Sequence, residues 1–310
     1  MHKRKERDKL SYAYFENDQK GKRVMLQLFT DTSANLPVVL TKKYHITVIP
    51  FSYTVDGKET DYPDDTDFDG AAFYGAMRSG AIVKTSMVSP ALMEEYFERA
   101  LSAGDDVLYV GMSGGISGTA QAAAIAAGEL TERYPERRIV TIDTYAASLG
   151  EGLQVLEAAE MIEEGKSLEE IKEQLLVRRP HMCQFFTVDD LAYLKRGGRI
   201  SGATALIGTV LSIKPILRGD ETGHIVSCGK VRGLKRAYAE LANYYDTRAL
   251  DKSEGIGIAH ADNAEGAEAL LALLREKGFT GECLSVCYEP VTGAHVGPGT
   301  VALFFYGTEK

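Results

Sequence analysis

The chain has 310 residues, of which 45% are hydrophobic and 25% are charged, and its formal net charge is −9. This length predicts two domains, and this composition argues against fibrous, collagen-like and wholly disordered proteins. The acidic balance makes nucleic acid a poor first partner, because binding to its phosphates needs a basic surface.

Residues 1–23 form a basic arm, with eight Lys or Arg against four Asp or Glu. This composition at a chain end predicts a mostly disordered segment, for which a solubilising role is a better account than anion binding.

From Val24 onward, short apolar runs alternate with amphipathic stretches, which is typical of parallel strands joined by helices. Strands are predicted at 24–29, 46–51, 107–111 and 138–142, and helices at 36–43, 68–79, 90–102, 118–133, 147–164 and 168–178. Ligands of such doubly wound sheets lie beyond the carboxyl ends of the strands, which directs attention to the loops after Phe29, Gly111 and Ile142.

After about residue 155 the alternation loosens, and the turns become shorter. Strands are predicted near 183–187, 224–230, 256–261, 283–289 and 300–306. We therefore predict an α/β protein with an N-terminal parallel-sheet domain at 24–155 and a C-terminal mixed α+β domain at 156–310.

The cysteines and the apolar runs indicate the compartment. Cys183, Cys228, Cys283 and Cys287 lack the paired spacing of a zinc site, and no secretory signal precedes them, so we expect reduced thiols and no metal. The best membrane candidate, 203–217, is interrupted by polar residues and a proline. We expect a cytoplasmic protein that is not membrane-integral.

The strongest local feature is the loop from Gly111 to Thr119, between a predicted strand and an Ala-rich helix. Its glycines let the backbone approach a ligand closely, the hydroxyls of Ser113 and Ser117 can form hydrogen bonds, and the helix start directs free N–H groups to the same place. We call this segment the anion loop. The alternative is a turn capped by Ser117 or Thr119 with nothing bound.

The anion loop also contains the sequence G-M-S-G-G, the pattern of a serine hydrolase nucleophile, at Ser113. Asp189 or Asp262, together with His295, could formally complete a catalytic triad. Too few strands precede the serine, however, and no HGGG-like oxyanion segment is present. A serine hydrolase is therefore kept as the alternative.

The sequence D-T-D-F-D-G at 65–70 matches the opening half of a calcium loop. The twelfth position is Ala76 instead of glutamate, and the preceding residues are not helical. An acidic start for the helix from Phe68 explains the pattern better.

Two further segments carry side chains that could bind an anion. Thr85 and Ser86 lie in a predicted hydroxyl-rich loop at 84–90, upstream of the helix that Ser89 is predicted to cap, so they are free to line a ligand site. His295 precedes the rigid turn G-P-G, where its imidazole could donate a hydrogen bond to a carboxylate.

Arg199 lies in a basic turn, and the apolar stretch ATALIGTVLSI at 203–213 follows it. This stretch is predicted to be a buried helix or one wall of a long apolar cavity. A small anion site beside an apolar wall favours an amphiphile, such as a fatty acid.

In this order, the segments resemble the DegV family of bacterial fatty-acid-binding proteins, which includes the acyl-carrying subunits of fatty acid kinase. The matching blocks are TDTSANLP at 30–37, KTSMVSP at 84–90, SGGISGTAQAA at 113–123, IDTYAASLGEG at 142–152, LAYLKRGGRIS at 191–201, SIKPIL at 212–217, GKVRGLKRA at 229–237 and HVGPG at 295–299. Eight blocks in one order are very specific.

The resemblance implies a tunnel that holds one long-chain fatty acid, such as palmitate, between an N-terminal Rossmann-like domain and the C-terminal domain, with no cofactor. It implies that the carboxylate ligands are Thr85, Ser117 and His295. Their implied neighbours in the head-group loops are Ser86, Ser113, Gly118 and Thr119.

The resemblance also implies a partner. A separate ATP-dependent fatty acid kinase would phosphorylate the carboxylate, and Arg199 would contact that kinase or the transferring phosphoryl group. The chain would then not be an enzyme by itself. We expect a monomer, and carriage of another amphiphile is a further alternative.

Overall fold

The computed structural model describes residues 15–17, 23–60, 62, 68–200 and 212–310. The strands in these ranges are β1 (Phe15–Asn17), β2 (Arg23–Asp31), β3 (Thr47–Ile49), β4 (Ser52–Val55), β5 (Lys58–Thr60), β6 (Val83–Ser86), β7 (Asp106–Gly111), β8 (Ile139–Asp143), β9 (Met182–Thr187), β10 (Ile213–Gly219), β11 (Ile225–Arg232), β12 (Ile256–His260), β13 (Cys283–Cys287) and β14 (Val301–Tyr306). The helices are α1 (Val38–Lys43), α2 (Gly70–Arg78), α3 (Pro90–Ala103), α4 (Thr119–Arg133), α5 (Leu149–Glu163), α6 (Leu168–Arg178), α7 (Ala192–Gly197), α8 (Leu234–Arg248), α9 (Ala264–Glu276) and α10 (Pro290–Val296).

The first sheet is built around β2, which pairs in parallel with β3 and β7, while β7 pairs in parallel with β8. Because side chains alternate along a strand, β7 serves two cores. Val107 and Tyr109 pack in the cluster that includes α3 and α4, whereas Leu108 and Val110 pack in the cluster that includes α5 and α6. Helices therefore cover both faces, as predicted for a doubly wound sheet.

The second sheet has the strand order β11-β10-β9-β14-β12-β13 and is mostly antiparallel, with a parallel pair at β12 and β13. Phe185 and Phe305 pack in the cluster that includes α8 and α9. Phe186 and Phe304 pack in another cluster, which also contains Leu149 from the start of α5. The mixed second half is therefore as predicted, and one face of its sheet packs against the first half.

A third sheet, with the antiparallel order β5-β4-β6, was not predicted. The predicted strand 46–51 corresponds to β3 alone, and a separate strand, β4, begins at Ser52. The turn between β4 and β5 contains Asp56 and Gly57, both with positive φ, which is typical of a tight hairpin. The segment 84–90 was expected to be a loop, but its first three residues belong to β6, because their backbone pairs with β4.

Two predictions in the second half need correction. The predicted helix at 203–213 lies outside the described residues up to 211, and at Ile213 it is wrong, because that residue begins β10. The predicted strand at 283–289 ends at Cys287, and α10 follows it. This helix starts where it does because the Glu289 carboxylate accepts hydrogen bonds from the N–H groups of its first turn and Pro290 has no N–H to satisfy.

The predicted domain boundary between residues 155 and 156 falls inside α5. Helix α6 packs in the same cluster as β2 and β7, so the first packed unit continues to about Arg178. Within the predicted basic arm, residues 15–17 form β1, which pairs with the start of β2. Residues 1–14 and 18–22 lie outside the described residues.

Candidate ligand site

One cavity brings together four of the predicted site residues. Thr85, Ser117, Arg199 and His295 line it, and its empty volume is about 780 Å³, part of which is open to solvent. Most of the other lining side chains are apolar, among them Phe51, Met87, Met112, Ile116, Phe186, Leu194, Ile225, Val291, Val296 and Phe304. A few polar groups in a mostly apolar cavity of this size are typical of a small-molecule site.

His295 and Thr85 contact each other in the wall of this cavity. His295 lies in the last turn of α10, and its Nε2 atom is 2.9 Å from Oγ1 of Thr85 on β6. Gly197, at the end of α7, lies against the other side of the imidazole, since a Cβ atom there would be 2.3 Å from Nδ1. Only glycine leaves room for the ring at this position.

The charge state of His295 follows from its surroundings. Burial and the nearby positive charge of Arg199 both disfavour the protonated ring and lower the pKa of His295 to about 4. At neutral pH the ring is therefore uncharged, and one of its nitrogens can donate a hydrogen bond while the other can accept one.

The anion loop places Ser117 in the cavity wall. Ser117 Oγ lies 2.9 Å from Thr119 Oγ1, which in turn lies 3.4 Å from the N–H of Val88. The N-cap residue of α4 is Gly118, so no side chain at that position closes the helix start. Ser117 Oγ also accepts from the N–H of Thr119, the first residue of α4, over 3.3 Å, so the loop also contains the contact that the capped-turn alternative expected.

Arg199 joins the two halves of the protein at the cavity. Its Nε donates to the carbonyl of Ile116 in the anion loop over 3.1 Å, and its Nη1 donates to the carbonyl of Gly197. Arg199 is nevertheless exposed. Two hydroxyls, a neutral imidazole and a guanidinium therefore line one cavity, and such groups can bind an oxyanion by neutral and charge-assisted hydrogen bonds.

The remaining predicted head-group residues do not line this cavity. Ser86 is exposed on β6, opposite Ser52. Gly118 lies under Met87, because a Cβ atom there would be 2.5 Å from the Met87 sulfur. Thr119 is buried behind Ser117.

Ser113 is held in a way that does not suit a nucleophile. It is fully buried, its hydroxyl donates to the carbonyl of Gly223 over 3.0 Å, and it accepts from the N–H of Gly115 over 3.1 Å. His295 contacts Thr85 instead of this serine. The geometry therefore gives no support to the hydrolase alternative.

The two acids considered for a triad are engaged elsewhere. Asp189 pairs with Lys214 over 2.6 Å, and Asp262 pairs with Arg78. Neither of these contacts involves His295.

Gln184 lines the cavity and was missed by the sequence analysis. Its side chain is nearly buried, its amide donates to the carbonyl of Tyr145 over 2.9 Å, and its oxygen accepts from the N–H of Ala147 over 3.2 Å. A single amide within the apolar strand β9 was the available signal, because a buried polar side chain needs a partner.

A buried pair of carboxyl groups lies behind the anion loop. Ser33 Oγ is 2.7 Å from Asp31 Oδ1 and 2.5 Å from Glu151 Oε2, but a hydroxyl has only one proton to donate. One carboxyl group must therefore be protonated. Burial raises the pKa of Asp31 and raises the pKa of Glu151 well above its ordinary value, so we assign the proton to Glu151.

This pair is connected to the candidate site, because Asp31 Oδ2 accepts from the N–H of Met112 in the anion loop over 3.2 Å. The hydroxyl of Tyr109 donates to the same oxygen over 2.5 Å. The carboxyl pair therefore helps to position the strand end from which the loop starts.

Residues 65–67 of the possible calcium loop lie outside the described residues. Asp69 caps α2, since its carboxylate accepts from the N–H of Ala72 over 2.9 Å, in agreement with the acidic helix start that was preferred. In the described part of the chain, no group of three or more His, Cys, Asp or Glu side chains could hold a metal ion.

Cys183, Cys228, Cys283 and Cys287 are free cysteines. Burial raises the pKa of Cys183 to about 12 and that of Cys283 to about 11, so these thiols stay protonated at neutral pH. Among the helices described, none has the length and apolar character needed to cross a membrane.

Comparison with known proteins identifies the family. A family model described as an uncharacterised protein of the DegV family matches residues 25–308. A DegV domain-containing protein of Clostridium perfringens is 38% identical over 286 residues, which cover 91% of this chain and 98% of that protein.

Solved structures agree with this assignment. A DegV family protein from Thermus thermophilus, described by its fatty acid binding, is similar with a TM-score of 0.81 and 32% identity, over 91% of this chain and 99% of that one. A fatty-acid-binding DegV family protein from Streptococcus agalactiae is similar with a TM-score of 0.79 and 30% identity, over 93% and 100% of the two chains. The chain described here belongs to the DegV family.

Proposed function

We propose that this protein binds one long-chain fatty acid and presents its carboxylate to a separate ATP-dependent kinase, which forms an acyl phosphate. The observation that carries the proposal is the single cavity in which Thr85, Ser117 and His295 meet beside apolar walls. The fatty acid binding of the similar proteins from T. thermophilus and S. agalactiae supports the same class of ligand.

The energetics favour an acyl chain as the main source of affinity. Burying about 14 methylenes at roughly 0.8 kcal/mol each contributes about 11 kcal/mol before ordering costs. Hydrogen bonds from Thr85, Ser117 and His295 to the carboxylate contribute roughly 1 to 3 kcal/mol each. The apolar wall thus determines affinity, and the polar groups determine the direction in which the carboxylate points.

In this proposal the carboxylate points toward the exposed Arg199, where the kinase can reach it. Arg199 lies in the cavity wall and is exposed, so it can contact the kinase or the phosphoryl group in transfer. In this proposal the chain is a monomeric, cytoplasmic lipid-binding subunit that uses no cofactor and is not catalytic by itself.

The lipid that copurifies with the protein tests the proposal. Mass spectrometry after denaturing extraction is expected to detect about one fatty acid per chain. A folded protein that is repeatedly lipid-free and takes up no palmitate would refute it, and a different amphiphile in the extract would favour the alternative cargo.

Variants of the polar wall test the assignment of the carboxylate ligands. Thr85→Val and Ser117→Ala are each expected to weaken palmitate binding by about fivefold to a hundredfold, which corresponds to the roughly 1 to 3 kcal/mol of one hydrogen bond to the carboxylate. Ser86→Ala is the matched control, because Ser86 is exposed on the same strand and does not line the cavity. Wild-type affinity in all three variants would show that Thr85 and Ser117 do not bind the carboxylate.

A further inference from the structure

A second depression lies outside the ligand cavity, and the two share a wall. Thr85, Arg199 and His295 line both of them. The outer depression has an empty volume of about 840 Å³, part of which is open to solvent. The two cavities therefore adjoin each other at these three side chains.

The outer depression is cationic. Lys84 and Arg196 line it together with Arg199, and none of its lining residues in the described chain is a carboxylate. Lys84 is exposed beside Thr85 on β6, and it forms no ion pair with any described residue. The nearby acid Asp262 is already paired with Arg78.

Arg196 is positioned by an aromatic side chain. Its guanidinium carbon lies 4.9 Å from the ring centroid of Tyr193, and the Tyr193 hydroxyl donates to the carbonyl of Met77 over 3.2 Å. Gly297 lies against the same ring, because a Cβ atom there would be 2.4 Å from it. The Tyr193 ring is thus held on two sides, which limits the positions open to Arg196.

We propose that the outer depression is a phosphoryl subsite, in which Lys84 and Arg196 bind the phosphoryl group of the acyl phosphate. This inference rests on the proposed function. A carboxylate needs only the wall between the two cavities, whereas a phosphoryl group on that carboxylate extends beyond the wall and brings additional negative charge. Lys84 and Arg196 are the cations that lie on that outer side without contacting the inner cavity.

The chemistry of the step is balanced. A carboxylate oxygen forms a bond to the γ-phosphorus of ATP, and the bond from that phosphorus to the bridging oxygen of ADP breaks. ADP leaves with the electron pair, and no proton is required. Cations on the outer side would bind the product after the kinase and ADP have left.

The test compares two ligands with the same acyl chain. One is palmitate, and the other is the β-ketophosphonate in which a methylene replaces the bridging oxygen of palmitoyl phosphate. The Lys84→Ala/Arg196→Ala variant is expected to bind the phosphonate at least tenfold more weakly, while its affinity for palmitate changes by less than about twofold. Because both side chains are exposed, the variant is expected to unfold at nearly the wild-type temperature.

A matched control is Lys42→Ala/Arg236→Ala, which removes two exposed cations from elsewhere on the surface. The control is expected to bind both ligands with wild-type affinity. If its affinity for the phosphonate fell as much as in the Lys84/Arg196 variant, the lower net charge would explain the loss and the subsite would be overturned. Equal weakening of both ligands, or of neither, in the Lys84/Arg196 variant would overturn the subsite and leave the proposed function intact. Wild-type protein that binds no palmitate would overturn the proposed function itself.

Discussion

His295 Nε2 lies 2.9 Å from Thr85 Oγ1, and this contact joins α10 to β6 across residues that are 210 positions apart in sequence. Thr85 lies on β6 of the third sheet and His295 lies in α10, yet both side chains line the same wall of the candidate cavity.

Gly197 determines where the His295 ring can lie. A Gly197→Ala methyl group would meet Nδ1 at 2.3 Å, so the ring must move away from Thr85. We expect palmitate binding to weaken by about tenfold, as for loss of a charge-assisted hydrogen bond. Isothermal titration calorimetry of the variant and the wild type with palmitate measures the two dissociation constants.

Gly128→Ala is the control for that change, since Gly128 lies in α4 with open space around its Cα and alanine is the better helix former. Its binding is expected to be unchanged. Wild-type affinity in the Gly197 variant would show that the ring position does not matter for the ligand.

The protonation of His295 is expected to respond to the ligand. Its pKa is lowered to about 4 by burial and by the charge of Arg199, and a carboxylate beside it would favour the protonated ring. An NMR titration of the ring should therefore give a higher pKa with palmitate bound. Arg199→Gln should also raise the pKa of the ligand-free protein, although burial should keep it below 6.5.

The same shift affects stability. Because the folded-state pKa lies below the unfolded-state value, the contribution of His295 to the free energy of unfolding is present above about pH 6.5 and is lost as the pH falls toward 4. His295→Gln should remove this part of the acid dependence in urea titrations. Identical pH profiles for the two proteins would contradict the assignment of a buried, neutral ring.

Glu151 is expected to produce the opposite dependence. Its folded-state pKa is raised well above 4.5, so its contribution is present below pH 4.5 and is lost as the pH rises toward the folded-state value. Glu151→Gln replaces the carboxyl group by an amide, which can still donate a hydrogen bond to Ser33 but does not titrate. The free energy of unfolding of this variant should fall less between pH 5 and pH 8, and parallel curves would refute the protonated carboxyl.

Ser113 is expected to be structural. Ser113→Ala leaves the Gly223 carbonyl without its partner and should lower the free energy of unfolding by roughly 1 to 3 kcal/mol. Palmitate binding by the remaining folded protein should change little. Labelling of Ser113 by a fluorophosphonate probe, together with ester turnover, would instead restore the hydrolase alternative.

Much of the first half was predictable from local pattern. The predicted strand at β7 and the predicted helix at 168–178 agree with the structure. Each has a hydrophobic pattern within its own segment, apolar throughout in β7 and amphipathic in the helix, and this pattern determines which side chains are buried. The start of the predicted loop at 84–90 is a strand instead, because β6 depends on pairing with β4, and strand pairing between distant segments leaves little trace in either sequence.

The candidate site divides in the same way. Local pattern indicated the anion loop, Thr85 and His295 as separate candidates, and the resemblance to a family assigned them to one ligand. The partner of Ser113 was not predictable, because the carbonyl of Gly223 reaches it from a turn 110 residues away.

The sequence by itself determined the fold class, the family and the residue types that could bind an anion, since these follow from periodicity, glycine-rich turns and ordered motifs. Only the tertiary structure decided that His295 contacts Thr85, that Gly197 leaves room for its ring, and that Lys84 and Arg196 lie on the outer side of the wall. The physical reason is that these relationships arise where loops from two packed halves meet. Their geometry depends on how the halves pack, which no single segment encodes.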